Sequence, residues 1–274
     1  MSTIRSKASH EERTASEPRD PNLHRVRIDR IKDVNSTTKL IKLSLKENKQ
    51  NMFLPGQWLD VFVPGTPKAG GFTITSEPAR TSPKPPQTGF LELAIQKSPN
   101  NPPAAWLWRP VDETRGTELN VRVGGSFVWP PSNVPLEDID RAIFIAGGAS
   151  AGERILFLDR LISATLSPAQ SMLVDHVPSE FRLKLFLTGQ TSNVEQLNDG
   201  DSKPLRQQME REAVDVAFRR LTVNDALDVL GPEQNRAKTV CYVCGPPAMT
   251  DEYVKVLREQ KGMDEGRVMC EKWW

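Results

Sequence analysis

From residue 24 to about 130, apolar and polar positions alternate in short runs. "RVRIDRI" (25–31), "KLIKLSL" (39–45), "QWLDVFV" (57–63), "FTITS" (72–76), "FLELAIQ" (90–96) and "ELNVRVGGSF" (118–127) follow one another, separated by Pro, Gly or Asn. A period of two bounded by turn residues predicts half-buried strands. Six in succession predict a small antiparallel barrel that closes its own edges. From about 138 the pattern changes. Strand-type runs "RAIFIAG", "RLKLFLTG" and "TVCYVCG" alternate with helix-like segments at 152–164, 223–230 and 250–261. That alternation predicts a parallel sheet covered by helices, a Rossmann-like nucleotide-binding unit. Thr250 reads as the N-cap of the last helix, with Asp251 and Glu252 in its first turn. The predicted organisation is a polar, disordered leader over 1–23, a β-barrel domain over 24–136 and an α/β domain over 137–274.

Composition narrows the classes. The 36 basic residues nearly cancel the 35 acidic ones among 274, so no nucleic-acid or anionic-membrane footprint follows. No apolar run approaches the roughly 18 residues a membrane span needs. Three cysteines cannot build a disulfide framework and suit a reducing, cytoplasmic setting. "MSTIRSKAS" also admits a mitochondrial presequence and a matrix location, although the acids of "HEER" follow at once. Cys241 and Cys244 have CxxC spacing but lie on a strand, where residues three apart face opposite ways, so no metal site is expected.

Candidate chemistry lies at two strand ends. In "IFIAGGASAGERILFLDRL" (143–161) a strand enters Gly147-Gly148 and a helical pattern follows, as in loops that offer backbone N–H groups to a phosphate. Ser150 or Gly152 completes the turn, depending on its length. Glu153 falls in the first helical turn, where a carboxylate facing a pyrophosphate costs up to about 3 kcal/mol. In "CGPPAM" (244–249), Gly245 permits close backbone approach and Pro246-Pro247 stiffen a turn at the carboxyl end of a buried strand.

Five stretches in this order resemble the ferredoxin–NADP reductase superfamily. "FLPGQW" (53–58) is similar to its F-x-P-G-Q strand signature, "GGFTITS" (70–76) stands at its R-x-Y-S-x-x-S flavin motif, and "VGGSF" (123–127) is similar to its barrel-closing turn. "IAGG" with "CGPPAM" resembles its two pyridine-nucleotide motifs, and "EKWW" (271–274) its aromatic C-terminus. The resemblance implies an oxidoreductase that transfers electrons between NAD(P)H and FAD and on to an unidentified acceptor outside the chain. It places Thr73 at flavin N5 and Cys244 beside the nicotinamide as catalytic positions. Phe72, Ser76, Lys97 and Trp274 fall to the flavin, and Gly147, Gly148, Ser150, Gly152, Gly245 and Pro246 to the nucleotide.

Several positions depart from the family pattern. Gly70 stands where the family has the arginine that neutralises the FAD diphosphate. Ala104 replaces a serine of the phosphate helix, and Pro102-Pro103 remove two backbone donors. FAD is therefore expected to be weakly held or absent, with Lys97 as the substitute cation and Gly70→Arg as the repair. The stretch 190–201, "QTSNVEQLNDGD", has no Lys or Arg to meet a 2′-phosphate, which favours NAD over NADP. The alternative is a degenerate, non-catalytic nucleotide-binding or interaction module of the same fold.

Overall fold

Short alternating strands cannot bury a two-sided core alone, so they must curl around one. The computed structural model describes residues 8–147, 157, 160–161, 182–186, 215–217 and 219–272. Its first half holds strands β1 (His24–Asp33), β2 (Thr38–Leu45), β3 (Trp58–Phe62), β4 (Gly70–Thr73), β5 (Phe90–Gln96) and β6 (Glu118–Gly124). They pair antiparallel in the order β4-β3-β6-β1-β2-β5. The two ends of that order meet. Ile74 bridges Leu93, and the Thr75 N–H donates to the Glu92 carbonyl at 2.8 Å. The barrel is the predicted one.

Inward positions fill its interior. Ile28, Ile41, Leu59, Val61, Leu91, Leu93 and Ile95 are fully or almost fully buried, each such side chain contributing roughly 1.5–3 kcal/mol. A short helix, α2 (Pro102–Leu107), adds Ala104, Trp106 and Leu107 to the same core. The turn α3 (Val111–Thr114) follows it.

The second compact unit runs from Pro135 to Lys272, the first having ended at Val134. Here β7 (Arg141–Ala146), β10 (Thr239–Cys244) and β11 (Val268–Cys270) form a parallel sheet ordered β11-β10-β7. Two further strands, β8 (Lys184–Phe186) and β9 (Asp215–Ala217), pair in parallel with each other. Helix α4 (Val223–Leu230) covers β7 and β10 together with α5 (Pro247–Arg258), enclosing Ile143, Cys241, Val243, Leu230, Tyr253 and Leu257. No helix among the described residues is long and apolar enough to cross a membrane.

Two expectations need correction. The leader is ordered from residue 8. Helix α1 (His10–Arg13) opens with a capping box between Ser9 and Glu12, and it carries a buried His10. The last helix begins three residues before Thr250. Pro247 at its first position has the φ a helix needs and gives up an N–H that would lack a partner anyway, so Pro246 is the N-cap. Thr250 is buried instead, its hydroxyl donating to the Gly245 carbonyl at 3.1 Å. Asp251 and Glu252 are accordingly past the first turn. The predicted helix at 152–164 lies outside the described residues apart from residues 157, 160 and 161.

Candidate functional site

On the barrel the site is built on β4. Pairing with β3 sets Phe72 opposite Leu59 and Gly70 opposite Val61, so both share the core-facing side. Gly71 and Thr73 pair with Asp60 and Trp58 and share the other side. Phe72 is half-buried against the core, and Thr73 ends the strand exposed. Thr73 Oγ makes no hydrogen bond to the described residues. Ser76 Oγ accepts the Glu92 N–H at 3.1 Å and keeps its own hydrogen to donate.

The family's arginine position is occupied in space although it has no side chain. A Cβ on Gly70 would stand 2.7 Å from the Phe72 ring and 2.7 Å from Pro103 Cβ. Phe72 and the first turn of α2 thus close over the glycine. Gly70→Arg, the repair suggested by sequence, would have to displace Phe72 or Pro103. Lys97 is the cation that the sequence offers in its place. Its ammonium is exposed and lies 5.5 Å from the Trp108 ring centroid, with Lys39 at 4.7 Å from the same ring.

The α2 turn offers no donors for a diphosphate. Pro102 and Pro103 have no N–H, the Ala104 N–H is turned to Asn101 Oδ1 at 3.4 Å, and the Ala105 N–H is bonded to the Asn101 carbonyl at 2.8 Å. Phe72, on the core-facing side of β4, and Thr73 and Ser76, each with a hydroxyl hydrogen left to donate, stand at the positions that the resemblance gives to the flavin ring. The residues present do not fit the diphosphate of FAD.

In the second unit, β7 and β10 run parallel in register from Arg141 opposite Thr239 to Ala146 opposite Cys244. Their carboxyl ends therefore finish together. The Gly147 N–H donates to the Cys244 carbonyl at 2.9 Å. A Cβ on Gly245 would stand 3.2 Å from the Gly147 nitrogen, and one on Gly147 would stand 3.3 Å from Pro246 Cδ. Gly147, Cys244, Gly245 and Pro246 thus form one cluster. Met249 covers both glycines, its Sδ 2.4 Å from where a Cβ on Gly147 would stand and 3.0 Å from one on Gly245. Burial, helped by Glu271 and Cys270, pushes the Cys244 thiol above its ordinary range. A neutral thiol at this strand end is a hydrogen-bonding and packing group, not a thiolate nucleophile. Gly148, Ser150, Gly152, Glu153, Trp274 and the stretch 190–201 lie outside the described residues.

The sequence reading missed a buried polar cluster on the outer face of β3 and β4. Asp60 is fully buried. It accepts from Arg19 Nε at 2.9 Å and from Arg122 Nε and Nη2 at 2.9 and 2.7 Å, with His10 Nε2 3.2 Å from its other oxygen. Burial pushes the carboxyl up, but the hydrogen bonds from His10, Arg122 and Arg19 outweigh it and leave it below its ordinary value. His10 meets Trp58 edge-on at 4.5 Å, and Arg19 lies over the same indole at 4.9 Å. The signal was present in part: an aspartate at an alternating position of "QWLDVFV" pairs with Arg122 of "NVRV" in the β3–β6 register.

A six-stranded antiparallel barrel followed by a parallel α/β unit is the architecture of ferredoxin-reductase-type proteins. The solved structure described as the ferredoxin reductase in carbazole 1,9a-dioxygenase superposes with a TM-score of 0.54 at 16% identity, over 92% of this chain and 70% of its own. Sequence narrows the class further. The chain is 30% identical to the oxidoreductase NAD-binding domain-containing protein 1 of Xenopus tropicalis over 302 aligned positions, covering 98% of this chain and 85% of that one. The Homo sapiens protein of that name is 27% identical over 98% of this chain and 85% of its own. The chain belongs to the family of oxidoreductase NAD-binding domain-containing protein 1. No family model matches it.

Proposed function

We propose that this protein is an NAD(H)-dependent oxidoreductase that moves electrons between a nicotinamide nucleotide and a flavin, and from there to an acceptor outside the chain. The observation that carries the reading is the strand-end cluster of Gly147, Cys244, Gly245 and Pro246, because ligands of open parallel sheets bind at the carboxyl ends of adjacent strands. When bound, the flavin supplies hydride and single-electron chemistry. The chain's share is positioning. Gly245 lets the backbone approach the nicotinamide closely. Cys244, at the end of β10, would stand beside the ring as an uncharged thiol. Thr73 and Ser76 offer hydroxyl donors at the end of β4, and Phe72 offers an apolar surface. NAD is preferred to NADP because 190–201 contains no cation for a 2′-phosphate.

Titration of the purified chain with NADH and NADPH at fixed ionic strength, followed by nucleotide fluorescence, tests this reading. NADH is expected to bind about tenfold more tightly, the equivalent of about 1.4 kcal/mol. Equal or reversed affinities would overturn the NAD assignment. Absence of binding by either nucleotide would favour the non-catalytic reading.

A further inference from the structure

The barrel is built for a flavin ring and not for a flavin tail. Around the ring position the chain supplies Phe72 and two hydroxyl groups free to donate, those of Thr73 and Ser76. At the tail position neither Gly70 nor the first turn of α2 supplies a cation or a free N–H. Gly70 has no side chain, and the volume above it is taken by Phe72 and Pro103. Of the first four backbone groups of α2, two are prolines and two N–H groups are turned to Asn101. Lys39 and Lys97 are held over the Trp108 indole, where their charge is set against the ring face.

We propose that, on the flavin reading of the preceding subsection, the barrel recognises the isoalloxazine ring alone. Riboflavin, FMN and FAD are then equivalent ligands that exchange with solution, and no single dinucleotide is retained. A charge-assisted phosphate contact normally separates these three, because only two of them carry phosphate. Without one, ring stacking and the two hydroxyl donors set the affinity, and these groups are the same in all three.

Equilibrium dialysis of the full chain against riboflavin, FMN and FAD, at low and high salt, tests the proposal. The three dissociation constants are expected to agree within about threefold and to be unchanged by salt. FMN or FAD binding about tenfold or more tightly than riboflavin, with the advantage lost at high salt, would overturn it while leaving the flavin reading standing. Absence of binding by all three would overturn both. Thr73→Val, at an exposed position where folding is not at risk, is expected to weaken all three by the same factor of about three to ten. An affinity left unchanged for all three would overturn the placement of the ring at β4.

Discussion

Asp60 shows what one buried charge does to a strand. Its carboxylate is held by two guanidinium groups and a histidine with no solvent contact. Asp60→Asn keeps the shape and removes the charge, leaving Arg19 without a carboxylate and Arg122 with only Glu11, 3.6 Å away. The expected loss is about 3 kcal/mol of unfolding free energy, the low end for a broken buried pair, because Arg122 retains some access to water. The pH dependence has a definite sign. The folded carboxyl lies below its ordinary value of 3.8, so its contribution is present above about pH 4 and is lost as pH falls through the lower folded value. Urea unfolding of wild type and Asp60→Asn between pH 6 and 3, roughly the range in which carboxylates titrate, checks this. The gap between the two is expected to narrow on the acid side, and a pH-independent gap would contradict the ion-pair account. Gly70 gives a second test. Gly70→Ala must displace Phe72 or Pro103, so it should cost about 1–3 kcal/mol by overpacking. Neutral stability of that variant, by thermal melting, would mean that the space over Gly70 is open.

At the scale of elements, the strand pattern was readable wherever a run was long and one face was core. "FLELAIQ" is β5 from end to end, and α4 begins and ends at the predicted 223 and 230. The two strands not foreseen, β9 and β11, are three residues each, too short to display a period. Helix α1 was missed because "HEER" has no apolar stripe, although the Ser9-x-x-Glu12 capping box was there to be read. What no local pattern could show is that Gly71 lacks a Cβ so that His10 can enter. Its Cε1 lies 2.0 Å from where that Cβ would stand, a contact spanning some sixty residues of chain. His10→Ala is expected to cost about 1–3 kcal/mol and to raise amide exchange along β4, since the staple over Gly71 and Trp58 is gone. An unaltered exchange pattern would mean that the segment lies on the barrel without bracing it. Thr222 caps α4 reciprocally with Asp225, so Thr222→Ala should lower the melting temperature by an amount equivalent to about 0.5–2 kcal/mol.

At the scale of the whole molecule, the order of the units was legible, because a barrel followed by an α/β unit is specified by local sequence. The fit of one ligand part was not. An absent arginine reads as weaker binding of the whole cofactor, whereas the structure shows the space over Gly70 filled by Phe72 and Pro103, the observation from which ring-only recognition is proposed. On the proposed function, this chain passes electrons from NADH to a flavin. Anaerobic mixing of the purified protein with riboflavin and NADH, followed by the loss of oxidised-flavin absorbance, tests it most directly. Bleaching well above the protein-free rate, faster with NADH than with NADPH, is the predicted result. A rate equal to that of flavin and NADH alone, under conditions where both are shown to bind, would contradict the claim.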